Sequence, residues 1–389
     1  MIKNSKILII EFDSVGHHAE YLKHLLNGII NENLYDKYIL CITPELQNVI
    51  YSFNNRALDN ITDFISDQTI KEYKNSVISK KSELHWKVIK NKIKQEPRIN
   101  EVLFMQLNIA SRNKNVWNLF LLRRIKFSGI YFQSPYRLRL TKDKGFLRRF
   151  KREMLLKILL YNKKCKNIYL LNDSEGTLHY SKWSKKIIYL PDPVNIVPPK
   201  DIDIRKLHML KPDSFVFLHI GALRMSKGSF DILEACKKLP SQFSIKNHIL
   251  FVGKMEAELF QQAHEINTKT NIITCRNEFV DEETFSAYLE QADCLLVTNK
   301  NVEASSGILN HALARKKLII AREGGYYKKL LNNYKGVSFF NSIESLAESM
   351  QFVDKEKSKM IQNINFDTDL FIKKNSPQQF FNIINQSLT

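Results

Sequence analysis

Residues 301–325 read NVEASSGILNHALARKKLIIAREGG, and this stretch decides the fold. An acidic residue, Glu303, comes first, and the small residues Ser305, Ser306 and Gly307 follow. The pairs Ile308/Ala312 and Leu309/Leu313 recur four residues apart, the spacing of one helix face. Arg315, Lys316 and Lys317 end that helix, with cations at its negative end. Residues 318–321 (LIIA) form a short apolar run, the pattern of a buried parallel strand. Gly324 and Gly325 then let the chain turn. Loop, helix start, helix, strand and glycine turn make one αβ unit. The free N–H groups of such a helix start hold a phosphate, and small residues let it come close. The same letters also fit a plain αβ unit whose serine caps the helix.

Upstream, the same grammar repeats. Residues 6–12 (KILIIEF) predict a strand, then comes the loop Asp13-Ser14-Val15-Gly16-His17-His18. A helix over 19–30 follows, with Tyr21, Leu25, Ile29 and Leu22, Leu26, Ile30 at four-residue steps. Strand, glycine loop, helix is the start of a doubly wound α/β domain, whose ligands gather at such loops. Gly16 lets the backbone approach a ligand, and His17 or His18 hydrogen-bonds it; otherwise the histidines merely cap the helix. Further strands are expected at 38–43, 102–107, 126–133, 167–171 and 186–190, with 56–98 mostly helical. Pro191, Pro193, Pro198 and Pro199 make a stiff, non-helical connection between domains. Beyond it, strands are expected at 215–220, 249–253, 271–274, 293–297 and 339–340. Helices are expected at 229–239, 282–291, 342–353 and 376–388. Asp201 and Asp203 have DxD spacing, read as coincidence in a polar linker.

Size and charge bound the function. A chain of 389 residues favours two domains, and 44 % apolar content supplies ordinary cores. No stretch approaches the length of a membrane span. The start, MIKNSK, runs into ILII, which is too short for a signal-peptide core and lacks a small-residue cleavage site. The five cysteines are scattered, so neither a zinc site nor a disulfide framework is expected, and a reducing cytoplasm fits. The net charge of +19 attracts anionic surfaces, either nucleic acid or lipid headgroups. RNP, KH, zinc and helix-turn-helix signatures are missing, which argues against nucleic acid. The positive charge concentrates between Arg112 and Lys166, where only Asp143 and Glu153 oppose it. Within that region 146–161 predicts a helix with Phe146, Phe150, Met154 and Ile158 on one face. That face is expected to pack on the sheet, leaving the cations to draw the domain to a bilayer.

The block from Glu303 onward resembles that of the retaining glycosyltransferases of family 4, which have the GT-B fold. There a glutamate is followed eight positions later by a second, then by a small-residue helix, a turn, an apolar strand and a glycine pair. The second glutamate would fall at 311, where this chain has His311. Residues 221–228 (GALRMSKG) resemble the family's Gly-x-x-x-x-x-Lys-Gly loop, and 191–194 (PDPV) its boundary element. A departing nucleoside diphosphate gathers negative charge, which fixed cations stabilise most in the transition state. Arginine offers a planar fork and lysine a point charge.

The resemblance implies an α/β GT-B protein, two Rossmann-like doubly wound domains facing each other across a cleft. Residues 1–200 would bind the acceptor and 201–365 the nucleotide sugar, with a helix in 366–389 crossing back to the first domain. It implies Glu303 and His17 as catalytic residues. Arg224, Lys227, Ser305, Ser306 and Gly307 would hold the donor diphosphate, and His311, Phe279 and Val280 the nucleoside. Edge packing also explains Phe279 and Val280. Gly16, His18, Tyr136 and Arg137 would border the acceptor or cleft, although 134–137 also reads as a solvated loop. The implied reaction is hexosyl transfer from a nucleoside-diphosphate sugar to a glycan or lipid-linked glycan of the bacterial envelope. It retains configuration and uses no metal or other cofactor. The expected location is cytoplasmic, peripheral on the inner face of the membrane. A GT-B-type nucleotide-sugar epimerase and a basic nucleic-acid-binding protein are the alternatives.

Overall fold

The computed structural model describes residues 5–14, 17–112, 116–121, 125–140, 146–301 and 306–388. The chain divides into two compact units, Met1–Pro193 with Asn375–Thr389, and Val194–Lys374. The division falls inside residues 191–200, which have no regular secondary structure. Prolines there lack N–H donors and bias their neighbours away from helix.

The first unit is built on β1 (Lys6–Glu11), β2 (Tyr38–Ile42), β3 (Thr62–Phe64), β4 (Ile99–Phe104), β5 (Lys126–Tyr131), β6 (Cys165–Leu171) and β7 (Ile187–Leu190). These strands are parallel and lie in the order β3-β2-β1-β4-β5-β6-β7. Helices cover both faces, so the strands are apolar on both. Leu8, Ile10 and Phe104 belong to one core layer, Ile7, Ile9 and Leu103 to the other. The short strand β3 falls within the region expected to be helical. The second unit has β8 (Phe215–Ile220), β9 (Asn247–Val252), β10 (Ile273–Arg276), β11 (Cys294–Val297), β12 (Leu318–Arg322) and β13 (Val337–Phe340). Their order is β10-β9-β8-β11-β12-β13, again all parallel. In each unit the chain winds outward to one side and then restarts on the other. The reversal lies between β1 and β4 in the first sheet and between β8 and β11 in the second. Loops leave a crevice at that point, beyond the carboxyl ends of the strands.

The second unit reaches past residue 365, because the helix Thr368–Lys374 packs on the helix Gly307–Ala314. The last helix, Pro377–Ser387, belongs to the first unit. Ser376 caps it, its hydroxyl accepting from the Gln379 N–H at 3.1 Å, and Pro377 stands where no donor is needed. Phe380, Phe381 and Ile384 are buried in the first unit's core. The Tyr38 hydroxyl and the Lys37 ammonium donate to Asn385 Oδ1, and the Asn167 amide to the Ser387 carbonyl.

This helix lies against the helix His18–Asn31 at Gly28, where an added Cβ would stand 2.1 Å from Phe381 Cγ. Alanine usually stabilises a helix interior over glycine by about 1 kcal/mol. Here the buried ring has no room to retreat. Gly28→Ala should therefore destabilise the first unit, by about 1–3 kcal/mol as overpacked cores do. Urea denaturation of wild type and variant measures it, and an unchanged or raised midpoint would show that the contact is slack.

Candidate functional site

In the second unit the strand-order reversal is occupied by residues 221–228, the loop leaving β8. Gly228 has φ +73°, a left-handed conformation, and an added Cβ would stand 2.2 Å from the Thr298 carbonyl oxygen. Only glycine meets both conditions. The contact brings this loop onto the end of β11. The Thr298 hydroxyl donates to the Lys227 carbonyl at 2.7 Å, and the Lys300 N–H to the Ser226 carbonyl at 3.1 Å. Arg322 donates through Nε to the Thr298 carbonyl and pairs with Asp231 on the helix after the loop. Beneath the loop, His219 bridges the two strands. Its Nδ1 meets the Leu296 carbonyl, which can only accept, so Nε2 is the acceptor for the Ser229 hydroxyl at 2.8 Å. Burial foremost pushes this imidazole down to about 4, so it stays neutral near pH 7.

Two cations stand on this braced loop. Arg224 is exposed and Lys227 is partly buried. Burial, and then the Arg224 charge, push the lysine below its ordinary value. Among the described residues no carboxylate lies within ion-pair distance of either group. Asp231 pairs with Arg322 and Lys300 instead. A desolvated cation beside a second one is held at a cost that an anion would relieve.

The helix Gly307–Ala314 follows β11. Ser306 occupies its cap position, buried and with no cap hydrogen bond from its side chain. His311 lies on this helix, its Nδ1 3.1 Å from Arg315 Nη1 and its ring edge-on to Phe285. Arginine only donates, so Nδ1 accepts and Nε2 carries the proton. Arg315 is itself held by Glu290 and Ser286. Phe279 is 89 % exposed, so edge packing does not explain it; Val280 is partly buried. Asp203 caps the helix Ile204–Leu207, its Oδ1 accepting from the Arg205 and Lys206 N–H groups. Glu303, Ser305 and Gly16 lie outside the described residues.

In the first unit the reversal holds a polar network that sequence reading missed. The Glu11 side chain is buried at the end of β1. Its Oε2 meets His18 Nδ1 at 2.9 Å, and its Oε1 accepts from Gln106 Nε2 at 3.1 Å and the Asp13 N–H at 2.9 Å. Gln106 also donates to Asp13 Oδ2 at 2.6 Å, and the Tyr73 hydroxyl approaches the same oxygen. The one signal in the sequence was two acids closing an otherwise apolar strand, ILIIEFD. The structure thus wires His18 to a buried carboxylate, while His17 pairs with Glu20 on its own helix and is half exposed. A second buried acid, Asp192, accepts from the Tyr21 hydroxyl at 2.7 Å, and burial raises its carboxyl above the usual range.

Tyr136 and Arg137 need correction. Arg137 is buried, donating to the carbonyls of Leu171 (3.2 Å) and Asn172 (2.6 Å) at the end of β6. Those carbonyls have no further strand to pair with, and the guanidinium satisfies them. Tyr136 packs among His179 and Tyr180. Neither belongs to a solvated loop, and Arg137 is a structural fastener.

His18 should respond to its partner. Burial alone would lower its pKa, but the Glu11 hydrogen bond and charge, with Asp13, outweigh that and raise it above 6.5. Its pairing therefore stabilises the fold fully below pH 6.5 and loses that contribution as pH rises through the raised value. Glu11→Gln removes most of the attraction and leaves the burial. The imidazole midpoint, followed by proton NMR, should fall from above 6.5 to below it. An unchanged midpoint would mean the two groups are not coupled.

Known proteins place this geometry. Residues 201–386 match the family described as glycosyl transferases group 1. No curated protein matches the chain in sequence. Among solved structures, HepE of Anabaena in complex with UDP is similar at TM-score 0.69 and 12 % identity, over 98 % of this chain and 99 % of that one. MnaA of S. aureus with UDP gives 0.65 at 13 %, over 99 % and 97 %. WaaG, a glycosyltransferase involved in lipopolysaccharide biosynthesis, gives 0.62 at 14 %, over 98 % of each chain. The chain has the GT-B fold, and its residues 201–386 match the glycosyl transferases group 1.

Proposed function

We propose that the protein moves a sugar from a nucleoside-diphosphate sugar to a glycan or lipid-linked glycan of the bacterial envelope. In this reading it retains the anomeric configuration, uses no metal, and lies against the inner face of the cytoplasmic membrane. One observation carries the donor half: Arg224 and Lys227 stand together on a braced loop at the strand-order reversal, and among the described residues no carboxylate pairs with them. A diphosphate fits that vacancy of charge, and the growing charge of the leaving group fits it better. Support for the base comes from HepE, crystallised with UDP and UDP-glucose. Uridine is therefore the first base to try.

The remaining roles follow the resemblance. Ser305, Ser306 and Gly307 offer N–H groups to the phosphates, and Glu303 supports positive charge at the anomeric carbon. The His311 Nε2–H donates to a ribose hydroxyl, with Phe279 and Val280 beside the base. His18, oriented by Glu11, takes an acceptor hydroxyl in the first unit. Retention rests on the likeness of residues 303–325 to family 4. The membrane location rests on the basic segment between Arg112 and Lys166.

A thermal-shift screen of UDP-, GDP-, ADP- and dTDP-sugars tests the donor class, because a ligand that binds only the folded state raises its melting temperature. Arg224→Ala or Lys227→Ala should lower turnover at least ~100-fold, the usual scale for a lost transition-state partner. The fold should persist, since neither side chain is buried in a core. Turnover within a few-fold of wild type in both variants would overturn the assignment.

The same cations make a metal at the leaving group unnecessary. Turnover should survive EDTA, measured with the donor that the screen identifies. Complete loss, restored by Mg²⁺ or Mn²⁺, would reject a metal-free mechanism.

A further inference from the structure

The helix Phe146–Tyr161 does not pack as its sequence suggests. Its second half enters the first unit's core through Leu156, Leu159 and Leu160, with Leu155 and Ile158 partly buried beside them. Its first half leaves an apolar stripe in solvent. Phe146 is 67 % exposed, Leu147 71 %, Phe150 52 % and Met154 45 %. These positions share one helix face. On the neighbouring helix Ser174–Ser181, Leu178 is also exposed, at 70 %, and Trp183 lies just beyond that helix. The two helices are tied together: the Tyr180 hydroxyl donates to Glu153, and the Lys157 ammonium sits over the Trp183 ring at 4.6 Å.

Cations rim this patch. Arg148, Lys151, Lys157, Lys182 and Lys185 are exposed, and the Arg149 guanidinium lies over the Phe146 ring. Of the two acids on these helices, Glu153 is engaged by Tyr180, and Glu175 alone is exposed. Aromatic and aliphatic side chains ringed by arginine and lysine fit an interface that is apolar below and anionic at its rim. A bilayer carrying anionic lipid is such an interface. Among the described residues no helix is long and apolar enough to cross a membrane, so the helix would lie on it.

We propose that this helix face docks the first unit on an anionic bilayer by inserting Phe146, Leu147, Phe150 and Met154 below the headgroups. This rests on the membrane-bound reading above and goes beyond it. Charge alone would hold the protein at the surface, whereas the stripe seats it within the interface. The position bears on function. A helix between two parallel strands runs back from the carboxyl edge of the sheet, so its exposed first half lies toward that edge. His18 and Gln106 occupy the same edge. An acceptor anchored in the bilayer would thus present its glycan to the polar network of that unit.

Sedimentation with vesicles of equimolar phosphatidylglycerol and phosphatidylcholine tests the proposal, using the full chain. Wild type should bind, and a fraction should stay bound in molar salt, where screening shortens electrostatic reach to about 3 Å. Phe146→Ser with Phe150→Ser should remove the salt-resistant fraction and weaken binding roughly tenfold or more at low salt. Arg148→Gln with Lys151→Gln should weaken binding at low salt and leave the salt-resistant fraction. Full release of wild type by salt, or wild-type binding by the serine variant, would overturn insertion. So would a wild-type dimer in analytical ultracentrifugation that the serine variant disperses, since the stripe would then be a self-association face. Circular dichroism checks the fold of each variant. The thermal shift given by UDP should be the same in all of them, so failure on vesicles is separable from failure of the donor assignment.

Discussion

Gly228 pressed against the Thr298 carbonyl is the contact on which the β8 loop and its two cations depend. The reversal of strand order opens a gap between the chain ends leaving β8 and β11, and a gap alone orients nothing. The left-handed glycine lets the β8 loop fall onto the end of β11, where Thr298 and Lys300 bond its backbone. Arg322 and Asp231 lock the next helix to the same point. The loop's backbone is satisfied within the unit, and among the described residues no acid pairs with its two cations. Preorganised charge of this kind needs no rearrangement when the leaving group develops its own.

The first unit solves the same topological problem with different chemistry. Its reversal holds two carboxylates, an amide and an imidazole in mutual contact, with Gln106 Nε2 placed between Glu11 and Asp13. A set rich in acceptors, with one titrating donor, suits hydroxyl groups and repels phosphate. The two units thus offer opposite electrostatics at equivalent places in one fold. The proposed transfer from an anionic donor to a neutral hydroxyl would use that division.

Legibility in the sequence followed the origin of each signal. Both-face burial writes itself as apolar runs, so FVFLHI and LIIA are readable as strands without tertiary information. Strand β3 was not, because Thr62-Asp63-Phe64 is a short edge strand with one pairing partner and little buried surface. The Gly221–Gly228 loop was readable because its glycine spacing and basic residues are local in sequence. The Glu11 network was not, since Gln106 follows β4, a neighbour of β1 in the sheet that lies far away in sequence. The helix Phe146–Tyr161 was placed to the residue, yet its face was misjudged. Periodicity marks two apolar stripes there, and only packing decides that Leu156, Leu159 and Leu160 take the core.

A net charge of +19 says less about partners than its distribution does. Several cations are spent inside the fold on carbonyls that secondary structure leaves unpaired. Arg137 serves Leu171 and Asn172, Lys186 serves Leu160 and Asn162, and Arg205 serves Ser214 and Gln291. Arg315 and Arg322 are held by acids. The donors of these groups are turned toward the fold, so they are poorly placed to bond a partner from solution. Two local groupings stand out among the described residues: two cations on a glycine loop, and cations beside an apolar stripe. In the reading proposed above, charge of one sign would serve two unrelated ligands, told apart by whether small residues or large apolar ones lie beside it.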